Sequence, residues 1–331
     1  MNQTLMKGKI LGTGRALPAK IVTNDDLAKV VETSDEWIQS RTGIRERRIA
    51  EEAVATSDLA TEAALKALEK AGVAAADIDL IIVATSTPDF SAFPATACVV
   101  QKNIGAVKAA AFDLETACSG FVYSLVVANQ FIATGMYRYC LVIGAEVFSR
   151  IIDWSDRNTC VLFGDGAGAA VIGPSQGEEG ILSSTLGADG EGGRFLDVYA
   201  GGTRMPVTPE VLEKKLNTIR MDGSEVFKFA VRIMENASLS ALEKVGMTAA
   251  DIDFLVPHQA NIRIVGAAAK RLHLPLDKVA VNLDRYANTS AASVPIALDE
   301  ALEAGRINPG DIVVLVGFGA GLTWAAAVLR W

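Results

Sequence analysis

The chain carries a diverged second copy of one of its own segments. Residues 67–82 read ALEKAGVAAADIDLII and residues 241–256 read ALEKVGMTAADIDFLV, identical at 10 of 16 positions. Asp77 aligns with Asp251 and Asp79 with Asp253, both at an offset of 174. Each copy has an Ala-rich helical stretch closed by Gly, an AADID turn and an apolar run suited to a buried strand. The offset is too long for a solenoid, whose period is about 20–50 residues. It points to two similar half-domains in one molecule. The copies diverge after the strand: the first continues through Ala84 in VATSTPD, the second into Pro257-His258-Gln259-Ala260-Asn261. Open α/β sheets place their sites at such strand ends.

Along both halves, strand-like and helix-like segments alternate. The pattern predicts strands in KILGTGRAL, DLIIVATS, AAAFDLE, YCLVIGAEV, DFLVPH, KVAVNL and DIVVLVGFGAG. Helices are expected in TSDLATEAALKALEKAG, PATACVVQKNIG, CSGFVYSLVVANQFIATG, SEVFKFAVRIMENASLSALEKVG, NIRIVGAAAKRLHL and SAASVPIALDEALEAG. This alternation favours mainly parallel sheets covered by helices on both faces. Residues 183–220 break the rhythm, and either a pocket-shaping insertion or a surface excursion fits them. A net charge of −8 over 331 residues argues against a nucleic-acid partner, which needs a basic surface. No uncharged apolar run reaches the roughly 18 residues of a membrane span, and the start has no apolar signal core. A cytoplasmic protein without membrane partners is expected.

Of four cysteines, Cys98, Cys140 and Cys160 read as small buried hydrophobes, and no CxxC pair suggests a metal. Cys118 differs. It follows a strand expected to be buried, AAAFDLE, and opens a long apolar helix, where backbone N–H groups and the helix dipole favour thiolate. A nucleophile and a buried structural Cys both fit these surroundings. His273 reads as a surface residue, whereas His258 stands at the second-repeat strand end. Asn288, in Asn288-Thr289-Ser290, occupies a strand-to-helix turn of the kind that carries Cys118. The two are therefore expected to be pseudo-equivalent, with a helix cap as the other reading of Asn288. Gly164-Asp165-Gly166-Ala167-Gly168-Ala169 is not a dinucleotide fingerprint, because a strand follows it instead of a helix. It is expected to mirror Gly317-Phe318-Gly319-Ala320-Gly321.

Taken together, these motifs resemble those of β-ketoacyl-acyl carrier protein synthase III, the condensing enzyme that starts bacterial fatty acid synthesis. The resemblance covers essentially the whole length. It rests on Asp35-Glu36-Trp37-Ile38 with Arg41-Thr42-Gly43-Ile44, on Ala117-Cys118-Ser119-Gly120, on GDGAGA at 164–169, on VPHQAN at 256–261 and on NTSAASVP at 288–295. It implies an α/β, thiolase-like, five-layered αβαβα fold and a homodimer. Its two pseudo-symmetric halves would be 1–173, with the Cys, and 174–331, with the His and Asn. It implies Cys118 as the nucleophile, His258 and Asn288 as the pair holding the malonyl thioester carbonyl, and the backbone N–H groups of Cys118 and Ala320 as the oxyanion site. Trp37, Arg41, Thr33 and Arg157 would bind coenzyme A. Phe93 would reach the partner's acyl pocket. Arg263, Lys270 and Arg271 would dock the carrier protein.

The implied reaction is a decarboxylating condensation of a short acyl-CoA, acetyl-CoA foremost, with malonyl-acyl carrier protein. It needs no metal or redox cofactor. The alternative is a thiolase-fold relative of polyketide, quinolone or long-chain hydrocarbon synthesis with another starter. A Cys118–His258 hydrolase would instead release free acid. Two positions depart from the family pattern: Ala320 interrupts a glycine run, and Ser224 stands where Asn is frequent.

Overall fold

The computed structural model describes residues 6–331. Its longer elements are the strands β1 (Gly8–Ala16), β2 (Leu80–Ala84), β3 (Ala110–Leu114), β4 (Cys140–Glu146), β5 (Gly166–Pro174), β6 (Gly180–Ala188), β7 (Phe254–Pro257), β8 (Ile312–Gly319) and β9 (Thr323–Arg330). The helices that matter here are α1 (Asp35–Thr42), α2 (Thr56–Ala71), α3 (Thr96–Ile104), α4 (Gly120–Ala133), α5 (Gly223–Glu243), α6 (Ile262–Arg271) and α7 (Ser293–Glu303).

Two sheets face each other. The first has the order β1-β5-β4-β2-β3 and the second β6-β9-β8-β7. A single parallel bridge, Leu255 to Val279, extends the second sheet where β3 extends the first. Helices α4 and α7 touch strands of both sheets and form the middle layer. Helices α2 and α3 cover the outer face of the first sheet, and α5 covers the outer face of the second with α6 packed beside it. The result is the five-layered αβαβα arrangement. Its central strands β2 and β4 are buried at every position, which explains their unbroken apolar runs.

Small residues set the layer spacing. Helix α2 turns Leu59, Ala60, Ala63, Ala64, Ala67 and Leu68 inward at helical spacing. It lies so close to β1 that a Cβ on Gly12 would stand 2.7 Å from the Ala67 carbonyl oxygen.

Several expectations change. The sheets are mixed, with β5 antiparallel to β1 and β4, and β9 antiparallel to β8 and β6. Strand–helix alternation cannot register such hairpin returns, and β9 follows the GFGAG turn without an intervening helix. KVAVNL forms only the bridge at Val279. Residues 183–188 are not irregular, since they complete β6. Strand β3 is a half-exposed edge strand. Cys98 is exposed, while Cys140 and Cys160 are buried.

Candidate active site

Two matching turns build the centre. Ala117 opens the turn Ala117–Ser119 before α4 with φ of 46°, and Ser290 opens the turn Ser290–Ala292 before α7 with φ of 49°. Both turns aim their following helix between the sheets. Their alignment corrects the expected pairing: Cys118 corresponds to Ala291, and Asn288 to Glu115. The glycines agree. A Cβ on Gly317 would stand 3.1 Å from the Cys118 carbonyl oxygen, and one on Gly144 would fall on the Ala291 carbonyl oxygen. The counterpart of Gly317 and Gly319 in β8 is thus Gly144 and Glu146 in β4, not the 164–169 motif, which lies on the neighbouring strand β5.

Cys118, His258 and Asn288 line one cavity, together with Phe227, Phe318 and Gly319. His258 leaves the end of β7 and is buried, its backbone N–H donating to Val316 O at 2.8 Å. Its Nδ1 lies 2.6 Å from Ser293 Oγ, and that oxygen also accepts the Gln259 N–H at 3.4 Å. With the Ser293 hydroxyl hydrogen turned to Nδ1, the imidazole proton sits on Nε2. Burial lowers the imidazole to about 3, so the ring is neutral. Phe318 packs edge-to-face against it, with centroids 5.2 Å apart.

Asn288 is pinned at both backbone groups, its N–H donating to Leu162 O at 2.9 Å and its carbonyl accepting from Gly164 N at 3.0 Å. Its Oδ1 accepts the Ser290 N–H at 2.8 Å, which fixes the amide so that Nδ2 is the end left to donate.

Cys118 is buried, and burial pushes its thiol up to about 12, with Glu146 and Glu115 adding to the rise. The expected thiolate is therefore not the resting state, because desolvation outweighs the helix terminus. The Ser290 hydroxyl is buried without a well-formed hydrogen bond, yet it stands near enough to favour both the Cys118 and the Glu146 anions. Glu146, which the sequence did not single out, is fully buried and pushed up to about 7 by desolvation. It accepts from Thr87 Oγ1 at 2.5 Å and from the Ser86 N–H at 3.1 Å, tying the end of β2 to β4.

A second cavity of about 340 Å³ also opens on Cys118. Phe148, Ile151, Leu196, Val198 and Ile219 supply its apolar wall, and Ala320 borders it. Leu196, Val198 and Ile219 come from the 183–220 segment, so that segment does shape a pocket. Gly319 allows this turn to press on Cys118, since a Cβ there would be 2.5 Å from Cys118 N.

The remaining residues lie away from this centre. Arg157 stacks over Trp37 of α1, 5.1 Å from the ring centroid, and donates to Glu32 O at 3.1 Å. Nearby, Thr33 Oγ1 is buried without a partner. Arg41 is exposed, with its carbonyl held by Asn261 Nδ2 at 3.0 Å. Ser224 is exposed at the start of α5, its N–H capped by Asp222. Phe93 is 86% exposed and does not enter this chain's own cavities. On α6, Arg263 lies over Phe227 at 5.4 Å and Lys270 is exposed. Arg271 is engaged by Glu235 at 2.5 Å, which weakens it as a docking cation. His273 is exposed, as expected. Among the described residues, no group of three or more His, Cys, Asp or Glu is placed to hold a metal ion, and no helix is long and apolar enough to cross a membrane.

Comparison with known proteins gives a consistent picture. Family models described as 3-oxoacyl-[acyl-carrier-protein (ACP)] synthase III and its C-terminal part match residues 112–190 and 242–331. The chain is 62% identical over 322 residues to the β-ketoacyl-[acyl-carrier-protein] synthase III of Caldanaerobacter subterraneus subsp. tengcongensis, covering 97% of each. The crystal structure of the Thermus thermophilus β-ketoacyl-[acyl carrier protein] synthase III superposes with a TM-score of 0.91 at 50% identity, covering 98% of this chain and 99% of that one. The priming β-ketosynthase of the R1128 polyketide pathway also superposes at 0.91, with 36% identity over 100% of this chain and 98% of that one.

Proposed function

The chain belongs to the β-ketoacyl-[acyl-carrier-protein] synthase III family, the condensing acyltransferases that initiate fatty acid synthesis, and we propose that Cys118, His258 and Asn288 carry its reaction. The observation behind this reading is the shared cavity, in which Asn288 Nδ2 and His258 Nε2 are left as donors by partners that occupy Oδ1 and Nδ1.

In the first half-reaction, Cys118 Sγ attacks the acyl-CoA thioester carbon. The neutral His258 is the base available for the thiol proton: in the tautomer whose Nδ1–H donates to the Ser293 hydroxyl, Nε2 is free to take it, and the Ser293 hydroxyl serves either tautomer by turning its hydrogen. The oxyanion is held by the backbone N–H groups of Cys118 and Ala320. Coenzyme A leaves as its thiol, carrying the proton away. Malonyl-carrier protein then enters. Its carboxylate departs as CO2, and the electron pair of the broken carbon–carbon bond becomes an enolate. The charge on the thioester oxygen is met by His258 Nε2–H and Asn288 Nδ2–H. The enolate carbon attacks the acyl-Cys118 carbonyl, and collapse expels the Cys118 thiolate, giving the β-ketoacyl product; the thiolate regains from solvent the proton that left with coenzyme A.

Supporting contacts favour the remaining roles. The Arg157–Trp37 stack, the unpartnered Thr33 hydroxyl and exposed Arg41 suit a coenzyme A adenine and its phosphates. Arg263, packed on a ring that lines the cavity, and Lys270 suit an acidic carrier protein. Exposed Phe93 and the open edge of β3 suit a homodimer in which Phe93 meets the partner's acyl pocket. The halves 1–173 and 174–331 carry the Cys and the His–Asn pair. A 340 Å³ acyl cavity lies at the small end of ligand sites and suits a short starter.

Mass spectrometry after acetyl-CoA treatment should show an acyl adduct at Cys118, lost as β-ketoacyl product when malonyl-carrier protein is added. An adduct at Cys98, Cys140 or Cys160 instead overturns the assignment. Preferential loading of long acyl groups would favour the alternative, a thiolase-fold relative with another starter.

A further inference from the structure

We propose that Glu115 is a specificity-determining residue that excludes anionic acyl groups from Cys118, so that the acyl cavity loads neutral starters and refuses dicarboxylic ones. The inference rests on the cavity of about 340 Å³ being the acyl site. Glu115 and Cys118 both line it.

The carboxylate is held there by backbone geometry. Glu115 Oε1 accepts the Ala117 N–H at 3.0 Å and the Ser86 hydroxyl at 2.8 Å. The first of these bonds fixes the residue two places from the nucleophile's turn, as Asn288 is fixed two places from its own. Glu115 is exposed to solvent, but its carboxylate is tethered, so the wall carries a charge at a set place at its rim. Among the described residues, no Lys, Arg or His lines this cavity to offset it. The other acid of the wall, Asp197, is already balanced by Arg220, whose guanidinium lies 3.0 Å from Asp197 Oδ1. Glu115 is thus the unbalanced charge beside the reacting carbon. A malonyl or succinyl group on Cys118 would place a second carboxylate in the same small space. Like charges a few ångströms apart repel more strongly as water is displaced. The exclusion has a use in this reaction, because the second substrate is itself a malonyl thioester. A malonyl group on Cys118 would block the starter site.

The test compares acylation of Cys118 by three coenzyme A thioesters: acetyl; succinyl, which is anionic and does not decarboxylate; and 4-methylpentanoyl, a neutral group of the succinyl shape. Adducts are followed by intact-protein mass spectrometry. Glu115→Gln keeps an acceptor for Ala117 and Ser86 and removes the charge. It should raise the succinyl-to-4-methylpentanoyl rate ratio about tenfold, the order of one screened like-charge contact. Glu115→Asp, which keeps the charge, should leave the ratio low. In the wild type the ratio should rise with ionic strength, since screening weakens repulsion near the surface. This series decides the matter if the Gln variant does not fold. A ratio unchanged in Glu115→Gln, or flat with salt in the wild type, overturns the proposal. Failure of even acetyl-CoA to label wild-type Cys118 would instead overturn the acyl-site reading.

Discussion

Asn288 and Glu115 occupy the same place in the two halves of the molecule. Asn288 Oδ1 accepts the N–H of Ser290 at 2.8 Å, and Glu115 Oε1 accepts the N–H of Ala117 at 3.0 Å, each two residues further on. Each stands before a residue of positive φ and a helix of the middle layer. One half thus presents a neutral donor to one cavity at Cys118, and at the equivalent position the other presents a carboxylate to the second cavity. The pseudo-twofold relation positions the two side chains without making them alike.

Asn288→Ala removes a donor to the developing enolate oxygen. Decarboxylation of malonyl-carrier protein should fall about 100-fold or more, as for loss of one oxyanion donor, with acylation of Cys118 much less affected. His258→Ala should lower decarboxylation to a similar degree and slow acylation as well, because His258 is also the base for the Cys118 thiol proton. Ser293→Ala leaves the ring but releases its Nδ1 and should lower kcat roughly tenfold, the size of a lost buried hydrogen bond. Single-turnover acylation and CO2 release, measured separately, check the division. Slow acylation with normal CO2 release in Asn288→Ala would refute it.

Glu146 links stability to pH. Its carboxyl is held at about 7 in the folded protein against an ordinary 4.5. Between those values the unfolded chain has lost a proton that the folded chain keeps. The group's contribution, full below pH 4.5, is therefore lost as pH rises to about 7. Glu146→Gln removes this dependence. The stability difference, variant minus wild type, should climb by roughly 1–3 kcal/mol across that window and then level off. Buried His258 has the opposite slope, but it is present in both proteins and cancels. Urea melts at several pH values provide the comparison, and a flat difference contradicts the expectation.

Gly144 and Gly317 admit the opposing turns to different depths. A methyl group at Gly144 meets a backbone carbonyl that cannot yield, whereas one at Gly317 meets Cys118 O at a tight 3.1 Å. Gly144→Ala should destabilise by about 3 kcal/mol or more, and Gly317→Ala by about 1 kcal/mol. Denaturant midpoints for the two variants give the ranking, and the reverse order would show that the turns are not packed as described.

Arg263→Glu should raise the KM for malonyl-carrier protein roughly two- to fivefold, the scale of an exposed charge pair, and spare that for acyl-CoA. The effect should shrink at high salt. Arg271→Ala should do less, because Glu235 already engages that guanidinium. Steady-state kinetics at two ionic strengths measure both, and an unchanged carrier-protein KM for Arg263→Glu removes it from the docking surface.

The repeat, the strand–helix alternation and the Cys, His and Asn contexts were legible in the sequence because each is written in contiguous residues. Cys118, His258 and Asn288 were picked out that way as candidates, and the structure brings all three to one cavity. Local patterns could not show that β9 returns antiparallel, that KVAVNL pairs at one residue only, or that β3 is an edge. Those facts depend on which strand lies alongside. The sequence paired Cys118 with Asn288 because both stand in polar turns before helices. The backbone pairs Cys118 with Ala291 instead, since turn phase is set by the residue of positive φ and not by polarity.

The amino-acid sequence by itself determined the chemistry available: one thiol at a helix start, one imidazole at a strand end, one amide at a turn, and too little apolar length to span a membrane as a helix. Tertiary structure alone decided how those groups are tuned. Burial raises the Cys118 thiol and Glu146 and lowers His258, because removing a group from water penalises its charged form. Ser293 and Ser290 fix which ends of His258 and Asn288 face the cavity. Glu115 became a wall of the second cavity at Cys118 only when two halves, 173 residues out of step, closed on one another, because proximity across such a distance is a property of the packed fold.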